Sequence, residues 1–297
     1  MKTTQSEYWR KYLANSTPCL FPPTTTNARK QQQQQQVPIN LSQHTSSIRQ
    51  FCAQNAGFPL NLFQLTWAVV LSRYVASPPP SAPDVVFAYR ENSAFDNTLV
   101  VEEESIYRLR FPLERSFAGL LRHNNSRPYP RHRAFQTGSV PATMGLAGYK
   151  GQRLFNTFLY LEPLMDGKVD RGDDDVADVT GPGFAPQTYS VQTDIARQYD
   201  LVVKIAVGDA QTSGSIVFSE GFLSDEAAWQ LAETFREVLE AILADVDAST
   251  RNEPDLFHHR SQVGPWGRTP PSRHQDWCVH QVIAGRCAEK PAALAIV

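Results

Sequence analysis

Two adjacent histidines, His258 and His259, have the type and spacing in this chain that come nearest to a catalytic pair. A histidine that acts as a general base needs a partner, commonly a carboxylate, that fixes its tautomer and orientation. In the stretch HHRSQVG the residue four positions after His259 is Val263, which offers neither a hydrogen bond nor a charge. The residues four positions after the seven histidines are, in chain order, Ile48, Arg127, Gln136, Gln262, Val263, Cys278 and Ala284. The sequence therefore contains no H-x-x-x-D pair and predicts no catalytic role for either histidine.

A short basic stretch, RHNNSRPYPRHR at residues 122–133, is the second place where chemistry could reside. Its guanidinium groups suit phosphate, so RNA or a phosphopantetheine arm is a candidate ligand. The alternative is a solvated loop, and a net charge of −2 gives the chain no general attraction to nucleic acid or to an anionic membrane. The sequence favours the loop and leaves Arg127, Arg131 and Arg133 as candidates for contact with phosphopantetheine or a partner.

Metal and disulfide chemistry are disfavoured by residue spacing. The four cysteines, Cys19, Cys52, Cys278 and Cys287, are too few and too scattered for a disulfide framework, and we expect reduced thiols. Cys278, His280 and Cys287 do not show the paired spacing of a zinc site. The acidic loop GKVDRGDDDVADVTGPG lacks the spaced oxygen ligands of a calcium-binding EF-hand. We predict no metal site.

The N-terminal third is predicted to hold three helices, one loop and one short strand. SEYWRKYLA, residues 6–14, predicts a helix capped by Ser6. The polar tract ARKQQQQQQ, residues 28–36, predicts a mobile loop, and six glutamines are few for a contact-forming tract. VPINLSQ then predicts a strand, and HTSSIRQFCAQNAG predicts a helix that stops at Gly57. Residues 60–75 are apolar almost all round, which predicts a buried helix.

The middle of the chain is predicted to be mainly strands followed by one long helix. Apolar or alternating runs predict strands at DVVFAY, SIYRLRF, RLFNTFLYLE, QYDLVVKIAV and GSIVFSE. GDAQTS, between the last two, predicts a hairpin turn. DEAAWQLAETFREVLEAILADV has apolar residues at helical spacing and begins beside Ser224. This order of elements predicts an α/β fold, more specifically an α+β layer sandwich.

The end of the chain changes character after Val246. Residues 247–275 are polar, irregular and proline-rich, as interdomain linkers are. Residues 276–297 resume a helix and begin a strand, which predicts the truncated start of another domain. The N-terminal segment has no apolar core of a secretory signal, and no run reaches the ~18 apolar residues of a spanning helix. A soluble, cytoplasmic protein is the expectation.

The order of several motifs resembles one family, the condensation domains of nonribosomal peptide synthetases, and specifically the C-terminal half of those domains. The motifs that carry this resemblance are SEYWRKYLANSTPCLFP, DVVFAYR, FDNTL, RLFNTFLYLE and YDLVVKIAV. The resemblance implies a chloramphenicol-acetyltransferase-like, CoA-dependent acyltransferase-like half domain over residues 1–246. It also implies that residues 247–275 link to an adenylation (AMP-binding) domain, which residues 276–297 would begin.

The resemblance implies a degenerate fifth motif at Phe95, Asn97 and Thr98. The family has an arginine where this chain has Glu102, which reverses the charge at that position. A bland alternative for Asn97 is that it caps a turn. The family's catalytic motif, HHxxxDG, lies upstream of the region that this chain resembles.

The function implied by the resemblance is that of a partial condensation domain. We expect a scaffold or docking surface in a peptide synthetase that forms no amide bond by itself. One alternative is the C-terminal half of a complete condensation domain, and another is an unrelated α/β interaction module. No cofactor is expected on this chain. Phosphopantetheine is expected on partner carrier domains, and carrier and adenylation domains of the same synthetase are the expected partners, without nucleic acid or membrane.

Overall fold

A computed structural model describes the chain over residues 4–22, 34–55, 58–74, 84–95, 98–101, 104–110, 116–126, 139–164, 195, 198–220 and 222–247. The helices are α1 (Gln5–Tyr12), α2 (Thr45–Gln54), α3 (Pro59–Tyr74), α4 (Phe117–Ser126), α5 (Val140–Ala147) and α6 (Asp225–Ala244). The strands are β1 (Gln34–Ile39), β2 (Asp84–Phe95), β3 (Thr98–Val101), β4 (Ser105–Arg110), β5 (Thr157–Pro163), β6 (Leu201–Val207) and β7 (Thr212–Ser219).

The strands form one mixed sheet in the order β1-β7-β6-β5-β2-β3, with β4 also paired to β2. β2, β5 and β6 run parallel to one another, whereas β7 and β1 continue the sheet antiparallel. Parallel neighbours need crossover connections, which is why strands distant in sequence meet at the centre. The predicted α/β fold is confirmed, as is the predicted hairpin, in which Gly208 N–H donates to the Gln211 carbonyl at 2.8 Å.

The core is built around α3 and α6. Every residue of α3 from Leu60 to Leu71 is buried, as the apolar sequence predicts. α6 packs against α3, and the rings of Trp67 and Phe235 lie 6.3 Å apart. Ser224 caps α6 by accepting a hydrogen bond from Ala227 N–H, which confirms the predicted start of this helix.

The predicted loop across the glutamine tract is wrong for its last three residues. Gln34, Gln35 and Gln36 form the first half of β1 and pair with Ser219, Phe218 and Val217 of β7. Glutamine side chains do not favour a strand, but Val37 and Ile39 are buried and hold the segment against β7. The tertiary pairing overrides the local composition.

The predicted cap of the first helix is also wrong. Thr4 caps α1, because its hydroxyl accepts from Glu7 N–H while the Glu7 carboxylate accepts from Thr4 N–H at 2.9 Å. Ser6 lies inside the helix and donates its hydroxyl hydrogen bond to the Leu146 carbonyl. The capping box was readable as T-x-x-E, but two hydroxyl residues stand close together at this helix start.

Several other predictions fall outside the described residues. They concern Gly57, the acidic loop after β5, the linker and the predicted start of an adenylation domain, residues 247–275 and 276–297, apart from Asp247. Of the four cysteines, Cys19 and Cys52 lie within the described residues and are free thiols. No helix among the described residues is long and apolar enough to cross a membrane.

Candidate functional site

A row of polar side chains crosses the middle of the three parallel strands. The register sets Arg90 of β2 beside Tyr160 of β5, and Tyr160 beside Lys204 of β6. Because residues that pair across neighbouring strands project to the same face, these three side chains share one face of the sheet. The central strands of a parallel sheet are usually apolar, so this polar row is the natural place to look for a site.

Arg90 forms a buried ion pair with Glu104, the residue just before β4. The Arg90 Nη2 atom lies 3.0 Å from Glu104 Oε1, and the two side chains are only 13% and 7% exposed. The Glu104 carboxylate also accepts a hydrogen bond from the backbone N–H of Val140 at the start of α5. This pair therefore joins β2 to the segment before β4 and to α5.

Asn92, Tyr160 and Tyr199, together with Arg90 and Glu104, form what we call the strand-end cluster, because it lies where the pairing of β2 with β4 and β5 ends. Asn92 is 4% exposed and donates a side-chain hydrogen bond to the Tyr160 hydroxyl. Tyr199, which precedes β6, is buried and stacks at a tilt on Phe158, with 4.7 Å between ring centroids. The cluster thus combines one cation, one carboxylate, two phenols and one amide in a mostly buried volume.

Burial shifts the acid–base properties of this region. Burial raises the pKa of the Glu104 carboxyl, and Arg90 and the Val140 N–H offset that rise only in part. Burial also raises the pKa of Tyr160, and the neighbouring Glu162 carboxylate raises it further. The pKa of Tyr199 is raised by burial and by Glu104. Burial lowers the pKa of Lys204, against the attraction of Glu162.

Two atoms of the strand-end cluster are left without a hydrogen-bond partner among the described residues. They are Arg90 Nε, a donor, and Asn92 Oδ1, an acceptor, and both are buried. Buried polar atoms are usually satisfied, so such atoms need an explanation. The cluster can hold an additional polar group that both accepts and donates a hydrogen bond. Within the described ranges, no group of His, Cys, Asp and Glu side chains is arranged to hold a metal ion.

The strand-end cluster also supports the ribbon that carries the predicted fifth motif. β2 pairs with β5 over Ala88–Glu91 and then continues with β3, from Asn92 opposite Val101 to Phe95 opposite Thr98. Phe95 thus ends β2 and Thr98 begins β3. Asn97, between them, lies outside the described residues, so neither its cap role nor its motif role is tested.

The remaining predicted site residues lie outside the described residues. They are Arg127, Arg131 and Arg133, together with the rejected pair His258 and His259. His44, which is described, lies at the start of α2, where its Nε2 is 2.9 Å from Glu240 Oε1 on α6. It therefore belongs to a contact between helices and not to the strand-end cluster.

Sequence reasoning missed most of the strand-end cluster. One signal was available, because Arg90 directly follows the buried run DVVFAY and an abrupt charge at a strand end favours a site. No such signal marks Glu104, which is the third of three consecutive glutamates. Tyr160 sits in an apolar run where a tyrosine is expected in the core, and Tyr199 stands between Gln198 and Asp200, where no pattern marks it.

Comparison with known proteins identifies the family. The profile of the condensation domain matches residues 2–260. This chain belongs to the condensation domain family. Among curated relatives, the nonribosomal peptide synthetase ungA' of Aspergillus campestris is 26% identical over 305 residues, which cover 98% of this chain and 3% of that protein.

Solved structures of condensation-type domains share the fold of this family member. The X-domain from teicoplanin biosynthesis, solved in complex with OxyB, superimposes with a TM-score of 0.61 at 14% identity, over 84% of this chain and 54% of the X-domain chain. The starter condensation domain of rhizomide synthetase gives a TM-score of 0.57 at 15% identity, over 84% and 54% of the two chains. The chain thus spans about half the length of these structures and a small part of the synthetase it matches.

Proposed function

We propose that this chain forms the C-terminal lobe of a condensation domain in a nonribosomal peptide synthetase, where it acts as a scaffold and docking surface and forms no amide bond by itself. The observation that carries the proposal is the matched length. The chain covers 54% of a solved starter condensation domain, about one lobe of a two-lobed fold, and its 297 residues contain no H-x-x-x-D pair.

Among the described side chains, the surroundings of His44 do not suit a base for amide-bond formation. His44 is the histidine whose side chain falls within the described residues, and it pairs with Glu240 in a contact between helices. A base for amide-bond formation must reach the reacting amine directly or through one water. The strand-end cluster has no histidine among its members and is held by the Arg90–Glu104 ion pair.

We assign docking to the ribbon formed by β2 and β3. Its paired residues, Asn92–Phe95 with Thr98–Val101, lie beyond the part of β2 that pairs with β5, so the ribbon extends past that pairing. The Arg90–Glu104 pair and the Asn92–Tyr160 hydrogen bond brace its base. The X-domain that shares this fold was solved in complex with the protein OxyB, which supports a protein-binding role for the fold.

The partners we propose are carrier domains bearing phosphopantetheine and the adenylation domain that residues 276–297 would begin. The phosphopantetheine would belong to the carrier and not to this chain. Arg127, Arg131 and Arg133 are the residues we propose for contact with its phosphate, because a guanidinium group binds phosphate oxygens in a fixed, bidentate geometry.

Two assays on the purified chain test this proposal. The first incubates it with aminoacyl and peptidyl carrier domains of a fungal synthetase, and we expect no amide product. The second measures binding of a phosphopantetheine-loaded carrier domain by calorimetry, and we expect binding that Asn92→Leu weakens and that Asn40→Leu, at an exposed position at the far edge of the sheet, leaves unchanged. Amide product from the chain alone, or no binding to any domain of a synthetase, would overturn the proposal.

The second candidate function is half of a complete catalytic domain. The observation that favours it is the same coverage of 54% of a starter condensation domain, which leaves room for one further lobe. Co-expression with the first lobe of a fungal condensation domain that contains HHxxxDG tests it. Amide formation by the two lobes together, and not by either lobe alone, would support the catalytic role. A stable but inactive complex of the two lobes would support the scaffold role instead.

A further inference from the structure

The outermost strand of the sheet has a composition that is rare for an exposed edge. β1 stands at the end of the strand order, and among the described strands it pairs with β7 alone. Its first three residues, Gln34, Gln35 and Gln36, end an uninterrupted run of six glutamines. Edge strands usually carry charges, prolines or bulges that prevent pairing with another chain. The glutamine half of β1 has none of these features.

The backbone direction of β1 follows from Pro38. Proline has no N–H to donate, so in a sheet it is placed where its nitrogen faces away from a partner strand. Backbone groups alternate in direction along a strand, so every second residue counted from Pro38 faces the same way. Gln34 and Gln36 then direct their N–H and C=O groups to the outer edge. The side chains of Gln34, Gln36 and Pro38 are exposed, whereas Val37 and Ile39 are buried. Within the described part of the chain, no strand occupies the outer edge of the glutamine half.

At the opposite side of the sheet, α1 contacts the edge of β4. The backbone N–H of Arg108 on β4 donates to the Tyr12 hydroxyl at 2.8 Å. When two copies pair β1 to β1, the outer edge of β1 is occupied in both copies. Such pairing of like edges forms a closed pair around a two-fold axis and does not propagate through β1.

We propose that two copies of this chain pair antiparallel through the outer edge of β1, over Gln34–Val37, and so join their sheets. A second copy is the fitting occupant because the glutamine half carries no charge, so like-chain pairing meets no repulsion. Each glutamine amide has both donors and an acceptor, so facing side chains also bond to one another along the edge. Pro38 ends the paired segment and so keeps it short. A short segment gives a weak dimer, whose formation depends on the protein concentration.

The test uses the whole chain and sedimentation velocity over a wide range of protein concentration. The double variant Gln34→Lys/Gln36→Lys places like charges at the paired edge without touching a buried residue. We expect it to raise the dissociation constant of the dimer about tenfold or more. The matched control Gln50→Lys/Gln54→Lys adds the same charge at two exposed positions of α2 and should leave the dimer unchanged.

Hydrogen exchange supplies an independent reading of the contact. A peptide that spans β1 should gain protection as the protein concentration rises, and it should not do so in Gln34→Lys/Gln36→Lys. A chain that stays monomeric at all concentrations overturns the proposal. So does a dimer that survives the β1 variant, since a different surface then holds it, and so does equal weakening by the α2 control. Large aggregates of no fixed size also contradict a closed pair.

Discussion

β2 carries two buried arginine–carboxylate pairs, one at each end of its pairing with β4, and they differ in how completely they are satisfied. At the start, Arg108 Nη2 lies 2.7 Å and Nε 2.9 Å from the two oxygens of Asp84. The remaining Arg108 nitrogen, Nη1, donates to the carbonyls of Tyr12 and Ala14. At the other end, Arg90 bonds to Glu104 through Nη2 while its Nε has no partner among the described residues.

This difference distinguishes an ion pair that stabilises the fold, Arg108–Asp84, from one that belongs to a candidate functional site, Arg90–Glu104. A buried ion pair stabilises a fold only when further hydrogen bonds satisfy the remaining donors and acceptors. Arg108 meets that condition and fastens α1 to the sheet. Arg90 does not, and its partner Glu104 has a raised pKa because burial outweighs the attraction of the cation. A buried ion pair that is incompletely hydrogen-bonded and has a shifted pKa is the pattern expected of a functional position.

The largest effect is expected for Arg108→Met. This change leaves the Asp84 carboxylate buried without its partner and removes the hydrogen bonds from Arg108 to the Tyr12 and Ala14 carbonyls, so the free energy of unfolding should fall by about 3–5 kcal/mol. Urea denaturation measures it. The matched control is Arg49→Met, because the Arg49–Asp209 pair is 4.0 Å apart and exposed and should contribute less than ~1 kcal/mol. Equal losses in the two variants would remove the basis of the comparison.

The next largest effect is expected for Asn156→Ala, which extends the comparison to amides. Asn156 accepts from Phe21 N–H at 2.9 Å, and its Nδ2 donates to the Phe21 carbonyl and to Asp200 Oδ2. Its removal leaves buried backbone groups of Phe21 unpaired, so the free energy of unfolding should fall by about 2–4 kcal/mol. The Oδ1 atom of Asn92 has no partner among the described residues. Asn92→Ala should therefore lower the free energy of unfolding less than Asn156→Ala does. Thermal unfolding of both variants at one pH compares them, and a greater loss for Asn92 contradicts the ranking.

A smaller effect is expected for Arg90→Met. Glu104 already has a raised pKa and can take up a proton when its partner is removed, so it need not remain a buried unpaired charge. We expect the free energy of unfolding of Arg90→Met to be about 1–3 kcal/mol lower than that of the wild type near neutral pH. The loss should shrink as the pH falls, because protonated Glu104 gains little from the guanidinium. A loss that equals that of Arg108→Met and does not vary with pH would show that the two pairs are equivalent.

The smallest effect is expected for Glu104→Gln and appears as a pH dependence. The raised pKa means that folded Glu104 holds its proton more tightly than unfolded Glu104 does. Its contribution to stability is therefore fully present below the ordinary pKa of 4.5 and is lost as the pH rises through the raised value. Relative to Glu104→Gln, the wild type should lose stability across that window, because its folded state gives up the tighter proton binding. Paired urea titrations at several pH values measure it, with Glu226→Gln as an exposed control. If the stability of the wild type relative to Glu104→Gln rose with pH, the predicted direction of the pH dependence would be wrong.

Local patterns were sufficient to predict most elements of the fold, but not β3, α4 or α5, and α4 includes residues 122–126 of the stretch predicted as a loop. The all-round apolar sequence of α3 and the apolar runs of β4, β5, β6 and β7 predicted those elements, because burial on one or both faces determines which residues they need. Gln34–Gln36 were predicted wrongly as a loop, because their strand conformation depends on β7, which lies far along the chain. Of the candidate site, Arg90 alone had a visible signal, while Glu104 could not be told from Glu102 and Glu103 by sequence.

By itself, the sequence determined the order of most helices and strands, the resemblance to condensation domains and the lack of an H-x-x-x-D pair, since these depend only on residue types and their spacing. Only the tertiary structure decided which buried charges meet. Parallel pairing brings Arg90, Tyr160 and Lys204 into one row, and the approach of the segment before β4 supplies Glu104. Burial then shifts the pKa of that carboxyl, because the free energy of a charge depends on the solvent and partners around it.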